Sequence, residues 1–235
     1  MDDTLALDAG SITSALTLEE QSLVRSVLVT HQHYDHIKDL ATLGFNRLGR
    51  GQVRIYCTHE VRSAVEATIL NKDIWLDFFS LPTPEMPTFL HTPVMSNVTL
   101  NIGGYSVRPV PVVHSVAAVG YEVRSPGGGT LLYTGDSGPG SGPAWASSQP
   151  DLLVTEVSYT NSETALAARY GHLSPKLLAE ELKTFRNSRG RLPRVAIVHV
   201  DPYREAEIAA EVATIAHCLS ADIWLPEEGS VIAVG

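Results

Sequence analysis

Short apolar runs alternate with amphipathic stretches along this chain, and the alternation predicts an α/β protein. "SVLVT" (26–30), "LLVTEV" (152–157) and "VAIVHV" (195–200) have the length and β-branched character of strands buried on both faces. "TLALD" (4–8) and "VRIYC" (53–57) are further strands. In "LTLEEQSL" (16–23), Thr17 and Glu20 have the spacing of a capping box, and a helix is predicted from about Glu60 to Ile69. From Val98 to Thr134 the pattern is β throughout, punctuated by a Gly-Gly and a triple-Gly turn. The stretch from Ser80 to Ser96 carries repeated prolines and reads as irregular, a flap or surface excursion. Near the end, a helix from Pro202 to about Leu219 shows an apolar stripe at Ile208, Val212, Ile215 and Leu219. "DIWL" and "SVIAV" then read as closing strands. Two sheet-forming halves, each ending in helices, predict a four-layer sandwich within a single domain spanning 1–235.

Composition narrows what such a fold does. With 44% hydrophobic and 18% charged residues the chain is that of an ordinary globular protein. Its net charge of −9 opposes sequence-independent binding of nucleic acid or anionic membrane, both of which need clustered positive charge. No apolar run approaches the ~20 residues of a membrane helix, and no signal-peptide core opens the chain. The two cysteines, Cys57 and Cys218, have no disulfide or zinc-finger spacing, and both read as small buried apolar residues. A reducing cytoplasm is the expected compartment.

The candidate chemistry is concentrated in "THQHYDHIKDL", which places His31, His33, Asp35 and His36 within six residues, directly after a buried strand. His31 and His33, two apart in extended backbone, project to one side, and a tight turn brings Asp35 and His36 close by. Imidazole and carboxylate donors suit zinc first, with manganese or iron as alternatives. His114, Asp136 and His199 each follow a predicted strand, where α/β folds assemble sites. Taken singly, each has an ordinary structural reading: Asp136 as an Asx-turn residue in "GDSGPGSGP", His199 as a core histidine. In company with the first cluster they become ligand candidates. "GHLSPKLL" (171–178) reads as a helix start, with Ser174 as N-cap and Pro175 at the first helical position.

His31-x-His33-x-Asp35-His36, followed by His114, Asp136 and His199 in that order, resembles the metallo-β-lactamase superfamily over nearly the whole chain. The resemblance implies an αββα sandwich bearing two divalent metal ions. By that pattern His31, His33 and His114 hold one ion, Asp35, His36 and His199 hold the other, and Asp136 bridges them. The family usually has one or two strands before the segment matching "LALDAGS". The expected sheet therefore lacks its usual first strand or strands, leaving an edge open to a second copy of the chain.

Within the superfamily, "HSVAAVGYEV", "YTGDSGP" and "PDLLVTEVSYTNSE…GHLSP" resemble ribonuclease Z and the class II cyclic-nucleotide phosphodiesterases. "NKDIWLDF" (71–78) and "GHLSPKLLAEEL" favour the second, although Tyr34 stands where that branch usually has leucine. A tRNA nuclease normally projects a basic, glycine-rich arm; the span from Gly44 to Arg54, with Arg47, Arg50 and Arg54, is too short for one. The resemblance thus implies hydrolysis of a small phosphodiester, a 3′,5′-cyclic nucleotide, by two metal ions, with Asp35 in the catalytic set. It also implies that Glu156 pairs with His172 and that His172 is the general acid for the leaving alkoxide. Asp151 matches the same pattern but has an ordinary loop reading. The alternatives are a ribonuclease Z-like RNA endonuclease and a non-catalytic, metal-dependent nucleotide-binding protein.

Overall fold

A computed structural model describes residues 4–234. They divide into two compact units, one up to Val98 and the other from Thr99 onward. Both are α/β, as the alternation of apolar runs predicts, and each is a sheet with helices packed on it.

The first unit runs β1 (Leu5–Leu7), α1 (Ile12–Ala15), α2 (Leu18–Leu23), β2 (Ser26–Leu28), α3 (Tyr34–Ile37), α4 (Asp39–Arg47), β3 (Val53–Cys57), α5 (His59–Thr68), β4 (Pro82–Thr83), β5 (Met86–Pro87) and β6 (Phe89–Pro93). Its main sheet has the order β1-β2-β3-β6, with every pair parallel and β1 at an edge. Val27, Ile55 and Phe89 of the sheet pack with Leu40 and Leu43 of α4 and Val61 and Val65 of α5. Thr17 caps α2 with the reciprocal Glu20 bond of a capping box, as its spacing predicts. The irregular reading of Ser80–Ser96 is corrected: Phe89–Pro93 is a strand paired along its whole length with β3. Prolines are tolerated there because β6 lies at the other edge of the sheet.

The second unit runs β7 (Leu100–Ile102), β8 (Tyr105–Pro111), β9 (Val119–Arg124), β10 (Thr130–Tyr133), α6 (Gly142–Trp145), β11 (Leu152–Glu156), a 3₁₀ turn (Asn161–Glu163), α7 (Thr164–Tyr170), α8 (Pro175–Arg189), β12 (Arg194–Val198), α9 (Glu205–Leu219) and β13 (Ile223–Trp224). The sheet order is β13-β12-β11-β10-β9-β8-β7, parallel from β13 to β10 and antiparallel beyond. Leu153, Val195 and Ile197 of the parallel half pack against Leu178, Leu182 and Phe185 of α8 and Ile208 and Val212 of α9. Ser174 is the N-cap of α8, its hydroxyl accepting from Leu177 N, with Pro175 at the first helical position. "SVIAV" is not a strand: Ser230–Val234 is irregular, and Val231 is fully exposed. Cys57 is buried as expected, whereas Cys218 is exposed on α9. Among the described residues no helix is long and apolar enough to cross a membrane.

Candidate functional site

In each unit the parallel strands deliver their C-terminal ends to one edge of that unit's own sheet, and its candidate residues gather there. In the first unit β1 and β2 run side by side, so Asp8 and Thr30, just beyond them, are neighbours. His31, His33, Asp35 and His36 follow, with α3 as the tight turn that brings Asp35 and His36 back toward the first two. The His31 ring stands 4.7 Å from that of His33 and 4.2 Å from that of His36, centre to centre. Asp35 Oδ2 lies 3.5 Å from His36 Nε2. Gly10 is indispensable to this turn, since a Cβ there would stand 1.9 Å from the Asp35 carbonyl oxygen.

The rings are fixed from behind by a buried carboxylate. Asp8 Oδ2 accepts from His36 Nδ1 at 2.7 Å. The Thr30 hydroxyl donates to the same carboxylate, and so it accepts from His31 Nδ1 at 3.0 Å. With both Nδ1 atoms engaged, Nε2 is the nitrogen each ring presents for ligation, the usual arrangement behind metal-binding histidines.

The second unit repeats the device. Asp136 follows β10, Glu156 ends β11 and His199 follows β12, three adjacent parallel strands. His114 follows β8, which runs in the same direction. Glu156 is completely buried, and four donors converge on it. His172 Nδ1 (2.7 Å) and Ser137 N (3.1 Å) reach Oε1, while Ser158 Oγ (2.6 Å) and Leu173 N (3.4 Å) reach Oε2. Because Ser158 donates to Glu156, it accepts from His199 Nδ1 at 2.8 Å. His114 Nδ1 donates to the Gly171 carbonyl at 2.8 Å. Gly171 takes a left-handed φ of +76°, and a Cβ there would press on Ser115 N at 2.7 Å. The turn before α8 therefore orients one ligand candidate with Gly171 and presents His172 with the next residue.

Asp136 Oδ2 lies 3.6 Å from His199 Nε2 and 3.9 Å from His114 Nε2. These separations are long for direct hydrogen bonds. They are close to the ~3.3 Å between donors sharing a tetrahedral ion at bonds of ~2.0–2.1 Å, so the donor set fits a metal. Burial holds the His114 pKa below that of ordinary imidazole, against the Gly171 hydrogen bond and Asp136, and this favours the neutral, ligating form. Glu156, His172 and His199 also lie close enough to surround a cation. The four donors on Glu156 make it an anchor rather than a ligand.

Burial alone would lower the His172 pKa, but the hydrogen bond and charge of Glu156, with Asp136 behind it, outweigh that effect and raise it. The ring stacks at 5.8 Å on His199 and borders a cavity of about 390 Å³ lined also by Ser158, Tyr159, Val200, Asp201 and Pro202. Asp151 sits at the opposite end of β11, where it accepts from Thr130 N at 2.9 Å, a structural role. His59, at the start of α5, and His91 of β6 lie 5.7 Å apart, ring centre to ring centre. Asp8, Thr30 and Ser158 were not singled out from the sequence; the only signal was Asp8 within "LDAGS".

A family model described as "Beta-lactamase superfamily domain" matches residues 10–214, across both units. No curated protein matches the chain. Among solved structures, unliganded yeast PDE1 is similar with a TM-score of 0.77 at 18% identity, over 90% of this chain and 69% of that one. The metallo-beta-lactamase fold protein YhfI from Bacillus subtilis gives 0.76 at 20% identity, over 99% and 89%. The short form of human tRNase Z gives 0.66 at 16%, over 100% and 90%. At these identities the likeness is one of fold.

Proposed function

The chain belongs to the β-lactamase superfamily, and on that premise we propose that it is a metal-dependent phosphodiesterase hydrolysing a small phosphodiester, a 3′,5′-cyclic nucleotide. In this reading the two units form one hydrolase domain. His31, His33 and His114 hold one divalent ion, Asp35, His36 and His199 hold a second, and Asp136 bridges them. Zinc is the proposed metal, with manganese or iron as alternatives. Such ions supply Lewis acidity toward a phosphoryl oxygen and lower the pKa of water. Asp35 serves both as ligand and as part of the catalytic set.

The observation that carries the reading is the His172–Glu156 pair, 2.7 Å apart, with His172 at the wall of a cavity of about 390 Å³ and Glu156 buried behind it. A ribose alkoxide is a poor leaving group and gains from protonation as the P–O bond breaks. With Nδ1 bonded to Glu156, His172 Nε2 is the atom that donates the proton, and Glu156 keeps the ring charged and oriented. A metal-dependent nucleotide sensor has no use for such an acid. A ribonuclease Z-like nuclease does, but it must also grip a folded polyanion, and the chain carries a net charge of −9. The chain is proposed to work in the cytoplasm, and the edge strand β1 is proposed to pair with a second copy, a homodimer that light scattering would detect.

The test is His172→Ala, assayed on cyclic AMP and on bis(p-nitrophenyl) phosphate, whose leaving group needs no proton. We expect a loss of ~10²–10⁴-fold in kcat on the cyclic nucleotide and a much smaller loss on the activated ester. Equal losses on both would remove His172 from the acid role. Cleavage of a tRNA precursor alone by the wild type would shift the assignment to the nuclease branch.

A further inference from the structure

The arginines between Gly44 and Arg54, too few for a tRNA-gripping arm, have an environment of their own in the first unit. Arg47, the last residue of α4, is only 2% exposed. Its Nη1 donates to the Ser22 carbonyl at 2.6 Å and lies 3.5 Å from that of Gln21, tying α4 to the end of α2. That bond accounts for one nitrogen. Nε and Nη2 have no hydrogen-bond partner among the described residues, which is costly for a buried cation.

A second guanidinium faces the same place. Gly51 has a left-handed φ of +111°, and the position its side chain would take lies 3.3 Å from Arg47 Nη2 and 3.8 Å from Arg25 Nη1. Gly51 itself and its flanking residues apart, no other described atom comes within 4 Å of that point. Arg62–Glu66, Lys72–Asp77 and the pairs of His36 with Asp8 and with Asp35 are ion pairs of this unit. Neither Arg25 nor Arg47 takes part in them. Burial and the charge of Arg25 both push the Arg47 pKa down, as expected for cations facing each other without a counter-charge.

We propose that the space beside Gly51 binds a phosphate-class oxyanion, held between the guanidiniums of Arg25 and Arg47. Both guanidiniums border the same side of Gly51, so an oxyanion in van der Waals contact with that glycine can take charge-assisted bonds of ~2.7–2.9 Å from the pair. Arg25 is exposed and free to adjust. Gly51 leaves the space that any side chain would fill. Arg25 precedes β2 while the histidine cluster follows it, so this site and those ligands lie at opposite ends of one strand. The inference rests on none of the metal chemistry.

Calorimetric titration of the purified, metal-loaded protein with inorganic phosphate tests it, with chloride at matched ionic strength as reference. The proposal expects a phosphate site that persists in His33→Ala, where the histidine cluster is damaged, and weakens about tenfold or more in Arg25→Gln. A nucleoside monophosphate titrated in parallel identifies the source: the same dependence on Arg25 means that the phosphoryl group of a larger ligand also fits, and its failure beside phosphate binding means a site for the free ion. Absence of phosphate binding above the chloride reference overturns the proposal. So does binding untouched by Arg25→Gln, or binding that disappears in His33→Ala.

Discussion

Asp8 and Glu156 do the same work in different units. Each is buried, accepts directly from one histidine ring, and reaches a second ring through a hydroxyl. Asp8 holds His36 and, through Thr30, His31; Glu156 holds His172 and, through Ser158, His199. The ligand candidates themselves were legible because four of them, His31, His33, Asp35 and His36, lie within six positions after an apolar run. The groups behind them were not, because Asp8 joins Thr30 and His36 across 22 and 28 positions, contacts that only the pairing of β1 with β2 creates. The device predicts that Asp8→Asn lowers zinc affinity ~10–100-fold while the protein stays folded. Competition against a chromophoric chelator measures it, and Asp77→Asn, which alters a carboxylate of the same unit outside the cluster, should leave the affinity unchanged. Equal affinities in the Asp8 variant and the wild type would reduce Asp8 to a packing residue.

Elements were readable where local pattern and tertiary partner agree. The buried strands β2, β11 and β12 and the capped helices α2, α5 and α8 announce themselves by apolar runs and cap residues. β6 does not, since an edge strand needs no strict alternation and its proline at 93 reads as a breaker. "SVIAV" fails in the opposite sense: β-branched residues make a strand only where a neighbouring edge accepts them. The β8–β9 hairpin adds a feature that no pattern shows. Arg108 and Glu122 face each other across it, with Nη2–Oε2 at 2.8 Å, and Arg108 also donates to Ser148 Oγ at 2.9 Å. Burial opposes the charged form of Glu122, but the hydrogen bonds of Arg108 and Ser148 prevail and hold its carboxyl below the usual range. A depressed folded-state pKa contributes stability that is full above the unfolded value of ~4.3 and lost as pH falls through the folded one. Glu122→Gln should therefore cost ~1 kcal/mol at neutral pH, with the gap to wild type closing as the medium is acidified below that range. Urea denaturation along a pH series checks it, and a gap independent of pH would mean that shape rather than charge is at stake.

At the scale of the whole chain, the ligand candidates are spread from His31 to His199 across two compact units, while one family model spans both. Local pattern could place each group at a strand end; only the order of the residues along the chain identified the superfamily. Net charge then separates substrate classes that the fold leaves open. At −9 the protein stays negative overall even with two divalent ions bound, so its field repels a distant polyanion. A singly charged cyclic nucleotide feels little of that field at physiological ionic strength, where screening sets in within ~8 Å. Its kcat/KM should therefore change by no more than about threefold between ~50 and ~200 mM salt. A nuclease neutralising 6–10 phosphates would lose ~10³–10⁵ in affinity over the same interval. Measuring turnover of cyclic AMP and binding of a tRNA precursor along one salt series reads both slopes at once. A steep fall for the tRNA precursor from tight low-salt binding would reveal a basic surface strong enough to outweigh the overall charge, and the small-substrate reading would fall with it.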